Sequence, residues 1–361
     1  MATKAKALAA RRGGLRFPLV DGFLWFIRIG LILAIVIGAF NSLTGSNLSG
    51  QQWRNLIVFG IAQGSVYALI ALGYTMVYGV LRFINFAHGE VFMSGAMVGF
   101  FVTRALSRTP LWTSAPLAAI LIAMLCCMTV SMFIAVMLER VAYRPLRAAP
   151  RLIPLITSIG ASFFLQYAFR GLFGADVKVY PSTTALSGRL DFLGFRIIHS
   201  QLLVVVSAIV IMAGLWLFVE KTRQGKAIRA VAEDQEIARL MGINVDRTIM
   251  LVFAIGGAMA GAAGLLFGLV FGSVNFFSGF LPGIKAFTSA VLGGIGNIVG
   301  AMLGGLTLGA VESLGPSLVL DGLNIPAANQ LKDMIAFLAL VLVLIFRPTG
   351  ILGEKLAQER T

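Results

Sequence analysis

Long apolar runs dominate this sequence. They occur in about eight places, at roughly 23–40, 56–79, 84–104, 116–138, 152–173, 200–219, 248–272 and 330–347. Each is long enough to cross the roughly 30 Å hydrocarbon core of a bilayer as a helix. Because lipid offers no hydrogen bonds to the backbone, spanning segments must be helices or closed barrels. The pattern predicts an all-α, polytopic membrane helical bundle with about eight full spans.

A further apolar stretch at about 285–312 is irregular. It is interrupted at Gly293, Gly294, Ile295, Gly296 and Asn297. We expect a broken or re-entrant helix pair here: two half-helices that dip in and return, or two short spans. Backbone freed at such a break is tolerated where protein or a water-filled cavity surrounds it. Gly293, Gly294, Gly296 and Asn297 are therefore candidates to line a pathway, and the alternative is a glycine-rich close contact between helices.

Composition excludes several classes of protein. The chain has 361 residues, 58% apolar and 12% charged, whereas soluble domains carry roughly 25% charged residues. The net charge of +14 would suggest nucleic acid in a soluble protein, but here the basic residues fall in short loops, so no nucleic-acid partner is expected. The two cysteines, Cys126 and Cys127, are adjacent and offer neither a disulfide framework nor a metal-ligand pattern.

The basic residues orient the spans, because cytoplasmic loops are enriched in Lys and Arg. Both termini and the loops at 139–151 and 220–247 are predicted to be cytoplasmic, and the segments at about 41–55, 105–115, 174–199 and 273–284 external. Eight spans place both termini on the same side, so the stretch at 285–312 must cross the membrane an even number of times or not at all. The first run is predicted to be an uncleaved span, not a signal peptide, because its apolar part is long. The orienting residues are Lys4, Lys6, Arg11, Arg12, Arg16, Arg140, Arg144, Arg147, Arg151, Lys221, Arg223, Lys226, Arg229, Arg239, Arg247 and Arg347.

The cytoplasmic loop at 220–247 contains a predicted amphipathic helix from Lys226 to Met241, bracketed by Gly225 and Gly242. Taken alone, such a helix packs on its own membrane domain or lies in the lipid interface. Its apolar positions are Ala227, Ile228, Val231, Ile237, Ala238, Leu240 and Met241; its charged ones are Arg229, Glu233, Asp234, Glu236 and Arg239.

The loop also carries a family resemblance. Arg229-Ala-Val-Ala-Glu233-Asp234, followed by Ala238 and Gly242-Ile-Asn244, resembles the ATPase-docking loop of the branched-chain amino acid permeases (LivH-type subunit) of ABC importers. Four other passages are similar to this family: Gly64 to Gly79 with Ile84 to Glu90, Glu139 to Arg147, Lys285 to Gly296, and Arg347 to Gly353. The resemblance extends from about residue 55 to 353, and the first 50 residues depart from it.

The resemblance implies a function and a set of partners. The chain would be the permease of an importer for branched-chain or other hydrophobic amino acids, assembled with a second homologous permease, two cytoplasmic ATPases and an external or periplasmic substrate-binding protein. Gly225, Arg229, Glu233, Asp234 and Gly242 would form the ATPase-docking loop. The expected location is the bacterial inner membrane, multi-pass. Alternatives are a permease for urea or another small molecule, and an ion-coupled secondary transporter.

The implied domain organisation has three parts. Residues 1–50 hold a basic segment and an extra span, 51–353 the permease domain, and 354–361 a cytoplasmic tail. Three polar residues in the permease domain, Asn85, His88 and Glu90, belong either to the pathway or to a structural polar network, because ionisable groups at membrane depth are costly. Lys285 and Glu312 are expected to snorkel to the interfaces.

Sequence motifs for catalysis are missing. There is no G-x-x-x-x-G-K-[ST] phosphate loop, and the Gly225-Lys226 pair lacks the upstream glycine. No nucleophile–base set, paired catalytic carboxylates or metal cluster stands out. We therefore expect no enzyme activity, no cofactor, no metal, and dependence on a separate ATPase.

Overall fold

The computed structural model describes residues 18–45, 48–147, 149–150, 152–182, 184–192, 194–347 and 349–353, and most of them are helical. The main helices are α1 Pro18–Gly45, α2 Gly50–Leu81, α3 His88–Leu106, α4 Pro116–Leu138, α5 Leu152–Phe173, α6 His199–Lys221, α7 Arg223–Glu233, α8 Gln235–Leu240, α9 Val245–Phe271, α10 Phe280–Gly293, α11 Ile298–Gly315 and α12 Lys332–Phe346. Shorter helical turns are Leu111–Ser114, Glu139–Tyr143, Arg144–Leu146, Thr184–Ser187, Pro316–Leu320, Asp321–Leu323 and Ala328–Leu331.

The predicted fold class is confirmed. Among the described residues, 8 helices are long and apolar enough to cross a membrane. They differ in one respect from the eight predicted runs: Ile298–Leu323 qualifies, whereas α3, which corresponds to the run at 84–104, does not. α3 is buried along most of its length among α2, α4, α9 and α10. Because α3 contacts other helices and little lipid, it can carry His88 and Glu90. Its hydropathy is therefore lower than that of the other predicted spans.

The predicted run at 84–104 also begins too early. Arg82 ends α2 with a left-handed backbone (φ 57°), and residues 82–87 form an irregular link before α3 starts at His88. The start differs by four residues because hydropathy does not register this reversal of the backbone.

Two small pairs of strands lie in segments predicted to be external loops. β1 Lys178–Val179 is antiparallel to β4 Ser273–Val274, and β2 Arg189–Phe192 pairs with β3 Phe195–Ile198. Tyr180, next to β1, donates from its hydroxyl to the carbonyl oxygen of Ala96 at 2.5 Å. The β1–β4 pair therefore ties the segment after α5 to the segment after α9.

The chain divides into two compact units. Among the described residues, one comprises 18–45 and 315–331; within it, Ser42 Oγ donates to the carbonyl oxygen of Ser317 at 2.7 Å. The other comprises the described residues between 48 and 314 and between 332 and 353, and it holds the core. The basic residues predicted to orient the amino terminus (Lys4, Lys6, Arg11, Arg12 and Arg16), together with Arg151 and the tail at 354–361, lie outside the described residues.

Glycine lets the helices of the larger unit approach closely. α9 runs through the core against α2, α3 and α4, and a Cβ at Gly264 would lie 2.5 Å from the carbonyl oxygen of Phe92. Between α10 and α11 a Cβ at Gly304 would overlap the carbonyl oxygen of Ser289. Small residues at such crossings allow backbone contact, which drives helix association in lipid.

Gly304→Leu is expected to destabilise the larger unit by at least about 1–3 kcal/mol through overpacking. Thermal unfolding in detergent would measure the loss. The matched control is Gly214→Leu on α6, where a Cβ would meet nothing within 4 Å; its unfolding temperature should stay close to that of the parent. Equal unfolding temperatures for the two variants would contradict the close contact of α10 with α11.

Candidate functional site: a polar loop and a cavity beside Glu90

The loop predicted as one helix from Lys226 to Met241 is two helices, so that prediction was wrong. The chain breaks at Asp234, whose backbone is extended (φ −150°). Its Oδ1 accepts hydrogen bonds from the backbone N–H groups of Glu236 at 2.8 Å and Ile237 at 2.9 Å. Asp234 therefore caps the amino terminus of α8, and its side chain competes with continuation of α7.

The inner face of the loop is fixed to the end of α2. Gln235 Nε2 donates to the carbonyl oxygen of Val80 at 2.5 Å, and Arg82 Nη2 donates to that of Ala232 at 2.6 Å. Gly225 is required, because a Cβ there would overlap the carbonyl oxygens of α6. Arg229 pairs with Glu220 at 2.8 Å. The α7–α8 segment is thus attached to the bundle through several defined contacts.

The outer face of α8 exposes large apolar side chains. Ile237 is 59% exposed, Leu240 86% and Met241 77%, and we call these three residues the α8 patch. Glu233 is also exposed, and Gly242 ends the segment with a left-handed backbone (φ 82°). Apolar groups clustered on a polar loop are typical of a surface that contacts a partner or a membrane.

The predicted polar set in the membrane divides into two environments. Asn85 braces the link before α3: its Oδ1 accepts from the Tyr143 hydroxyl at 2.6 Å and from the Ala87 N–H at 3.1 Å. The His88 ring meets the Tyr74 ring edge-on at 4.8 Å. Asn85 and His88 therefore contribute to packing.

Glu90 instead borders a cavity of about 310 Å³. One carboxylate oxygen, Oε1, lies 3.4 Å from the Ser162 hydroxyl, which is a long contact for a hydrogen bond. The other oxygen, Oε2, is buried and has no hydrogen-bond partner among the described residues. Glu90 is the member of the set that borders this cavity.

The break at 293–297 is present as a turn of residues 294–297 between α10 and α11. This turn binds the segment beyond α12. Leu352 N–H donates to the Gly293 carbonyl oxygen at 2.9 Å, and Asn297 Nδ2 donates to the Leu352 carbonyl oxygen at 3.1 Å. Gly294 and Gly296 have positive φ values of 108° and 97°, which favour glycine. The turn therefore lies beside the segment that follows α12.

A buried charged triad was missed by the sequence reasoning. Lys285 Nζ lies 2.6 Å from Glu312 Oε1 and 2.6 Å from Asp333 Oδ1, and the Tyr67 hydroxyl donates to Glu312 Oε2 at 2.9 Å. Lys285 is 5% and Glu312 2% exposed, so the snorkelling prediction was wrong. The three charged residues stand on α10, α11 and α12. Their side chains pair with one another inside the bundle, and those of Lys285 and Glu312 do not reach the lipid–water interface as predicted. The available signal was charge inside two apolar stretches, with Lys285 and Glu312 in the one at 285–312 and Asp333 in the one at 330–347.

A second ion-pair group explains the motif from Glu139 to Arg147. Arg147 contacts both the buried carboxylate of Glu139 and Asp246 Oδ1, the latter at 2.6 Å, and Arg144 contacts Asp246 Oδ2 at 2.9 Å. Because Asp246 stands in the first turn of α9, these contacts join the end of α4 to the start of α9. Over the described part of the chain, no group of three or more His, Cys, Asp or Glu side chains is placed to hold a metal ion.

Comparison with known proteins identifies the family to which this chain is similar. Residues 56–344 match the family model described as the permease component of branched-chain amino acid transport systems. The high-affinity branched-chain amino acid transport system permease protein BraD of Pseudomonas aeruginosa is 47% identical over 303 residues, which cover 82% of this chain and 95% of that protein. LivH of Escherichia coli, with the same description, is 43% identical over 298 residues, covering 82% and 94%.

A more distant similarity is also present. The galactose/methyl galactoside import permease protein MglC of Escherichia coli is 29% identical over 116 residues, or 31% of this chain and 34% of that protein. The match to the branched-chain model covers most of the chain, including the loop, the cavity and the triad. The chain therefore belongs to the family of permease components of branched-chain amino acid transport systems.

Proposed function

We propose that this chain is a transmembrane permease subunit of an ABC importer, that it forms part of the pathway for branched-chain or other hydrophobic amino acids, and that a separate ATPase powers it. The observation that carries the proposal is the similarity to BraD and LivH, at 43–47% identity over 82% of the chain. The chain itself supplies the pathway and does not hydrolyse ATP.

The geometry of the loop supports docking of an ATPase. The inner face of α7–α8 is bonded to Val80 and Arg82, and the outer face offers the α8 patch, with Glu233 beside it. Movement of a protein bound to this patch would be passed to the end of α2 and to the link that carries Asn85. Gly225, Arg229 and Asp234 set the shape of the loop, and Glu233 and the α8 patch contact the partner.

The proposed assembly contains a second homologous permease, two cytoplasmic ATPases and an external binding protein. Isolation of the tagged chain from native membranes in mild detergent, followed by mass spectrometry, tests this composition. We expect two ATPase polypeptides or two copies of one, together with a second permease. Recovery of the intact, folded chain without any ATPase would contradict the proposal.

We also propose a location in the bacterial inner membrane with both termini and the α7–α8 loop in the cytoplasm. A variant with Cys126 and Cys127 replaced by alanine and with Glu236→Cys, which is exposed on α8, is expected to resist an impermeant thiol reagent in intact cells and to react after permeabilisation. Arg108→Cys, exposed in the link between α3 and α4, is the matched external control and should react in intact cells. The reverse labelling pattern would contradict this topology.

A further inference from the structure

The cavity beside Glu90 is built from five parts of the larger unit. Its wall contains residues of α2, the link before α3, the first turn of α3, α5 and the start of α10. Ser162 is close to the middle of the 22-residue helix α5, and Glu90 is in the first turn of α3. The lining residues are Tyr74, Phe86, Gly89, Glu90, Ile159, Ser162, Phe163, Gly279, Phe280, Gly283 and Ile284.

The carboxylate of Glu90 faces this cavity without a counter-charge. The residue is 1% exposed, and it is the one Asp, Glu, Lys, Arg or His among the described lining residues. Oε2 has no hydrogen-bond partner in the described part of the chain. A buried carboxylate of this kind carries a large desolvation cost unless a cation or several donors compensate it. Lys285, which could have served, is already engaged by Glu312 and Asp333.

Glycine residues let the start of α10 lie directly against Gly89 and the Glu90 carboxylate. A Cβ at Gly279 would lie 2.7 Å from Glu90 Oε2, and a Cβ at Gly283 would lie 2.8 Å from the Cα of Gly89. The start of α10 can approach α3 only because these positions lack side chains. Glu90 Oε2 therefore lies close to the Gly279 backbone, and the Glu90 side chain borders the cavity.

The remaining wall is aromatic and aliphatic. Tyr74, Phe86, Phe163 and Phe280 supply rings, and Ile159 and Ile284 supply branched side chains. The volume of about 310 Å³ is at the lower end of the roughly 300–1,000 Å³ found for small-ligand sites, which combine apolar walls with few polar groups. A small ligand with one cationic end and one apolar end fits this arrangement.

We propose that Glu90 binds the ammonium group of a hydrophobic amino acid in transit. The apolar side chain of this amino acid packs against the surrounding rings. The Ser162 hydroxyl remains available to the carboxylate of the amino acid. This assignment rests on the proposed function and adds a substrate-binding position within the pathway. Charge-assisted contacts of this kind give orientation as well as affinity.

The first test is transport by the complete complex in liposomes with leucine as the probe. Glu90→Gln is expected to lower the rate of ATP-dependent leucine uptake about tenfold or more, by loss of a charge-assisted contact, while the ATPase still copurifies with the variant. Glu90→Asp, which keeps the charge, should recover part of the uptake. Unchanged uptake by an assembled Glu90→Gln complex would overturn the assignment. Absence of ATP-dependent uptake by the parent complex would instead refute the proposed function.

The second test leaves Glu90 intact, so it does not depend on how Glu90→Gln folds. Ser162→Cys, with Cys126 and Cys127 replaced by alanine, places a thiol at the cavity wall of the complex. Leucine and 3-methylbutylamine, which carries the ammonium but no carboxylate, are expected to slow alkylation of this thiol. 4-Methylpentanoate, which lacks the ammonium, should not. Equal protection by the three compounds, or protection by none of them, would overturn the role of Glu90.

Discussion

Replacing Leu240 and Met241 together by aspartate is expected to abolish association with the ATPase while the permease remains folded. Both side chains are largely exposed, so the substitution removes no internal packing. If the ATPase covers them, each contributes on the order of 2 kcal/mol as a buried apolar anchor. Loss of both would weaken binding by roughly a thousandfold. Copurification of the ATPase and substrate-stimulated ATP hydrolysis would measure this effect.

The matched control keeps the surface apolar. Leu240→Met with Met241→Leu conserves volume, and normal assembly is expected. Glu233→Lys on the same surface should weaken the association less, because a contact at a solvated rim contributes little. If the double aspartate variant copurified normally with its ATPase, the α8 patch would not be the docking surface. A lowered unfolding temperature of the isolated permease would indicate a patch that packs on its own membrane domain or on lipid.

Lys285→Met is expected to produce the largest loss of stability. It leaves the buried Glu312 carboxylate without its cation, and breaking a buried ion pair on one side costs about 3–5 kcal/mol. The unfolding temperature should fall by on the order of 10 °C, as for a large domain. Thermal unfolding of the purified chain in one detergent would measure the difference.

Two further variants distinguish the loss of charge pairing in the triad from a nonspecific loss of stability on substitution. Lys285→Met combined with Glu312→Gln removes both buried charges and keeps an acceptor for Tyr67, so it should be more stable than Lys285→Met alone. Asp333→Asn should cost less than Lys285→Met, because the Asp333 side chain is 37% exposed and water can compensate. Equal losses in all three variants would contradict a charge-paired network.

Features that depend on local patterns could be predicted from the sequence. Length and hydropathy identified nearly every candidate spanning helix. The residues from Gly293 to Asn297 correctly indicated a turn, because glycine and asparagine favour turn conformations at their own positions. Charges predicted an amphipathic cytoplasmic segment. Its division at Asp234 was missed, although an Asp placed before Glu236 and Ile237 is a typical amino-terminal cap.

Features that depend on distant pairing could not be predicted in the same way. The Lys285–Glu312–Asp333 triad, the hydrogen bond between Asn85 and Tyr143, and the pairing of β1 with β4 join positions far apart in sequence, so no local period records them. The cavity illustrates the same limit. The sequence shows Glu90 as a charge in an apolar region. That one of its carboxylate oxygens lacks a hydrogen-bond partner depends on how α5 and α10 pack around it.

The most direct measurement of the central claim is uptake of radiolabelled leucine by liposomes that contain this chain with its copurifying permease and ATPases, with the binding protein supplied externally. We expect accumulation that requires ATP, stops when the ATPase carries an inactivating substitution, and is absent from liposomes that contain this chain alone. Leucine uptake by the chain alone, driven by an ion gradient without ATP, would contradict the account and identify a secondary transporter.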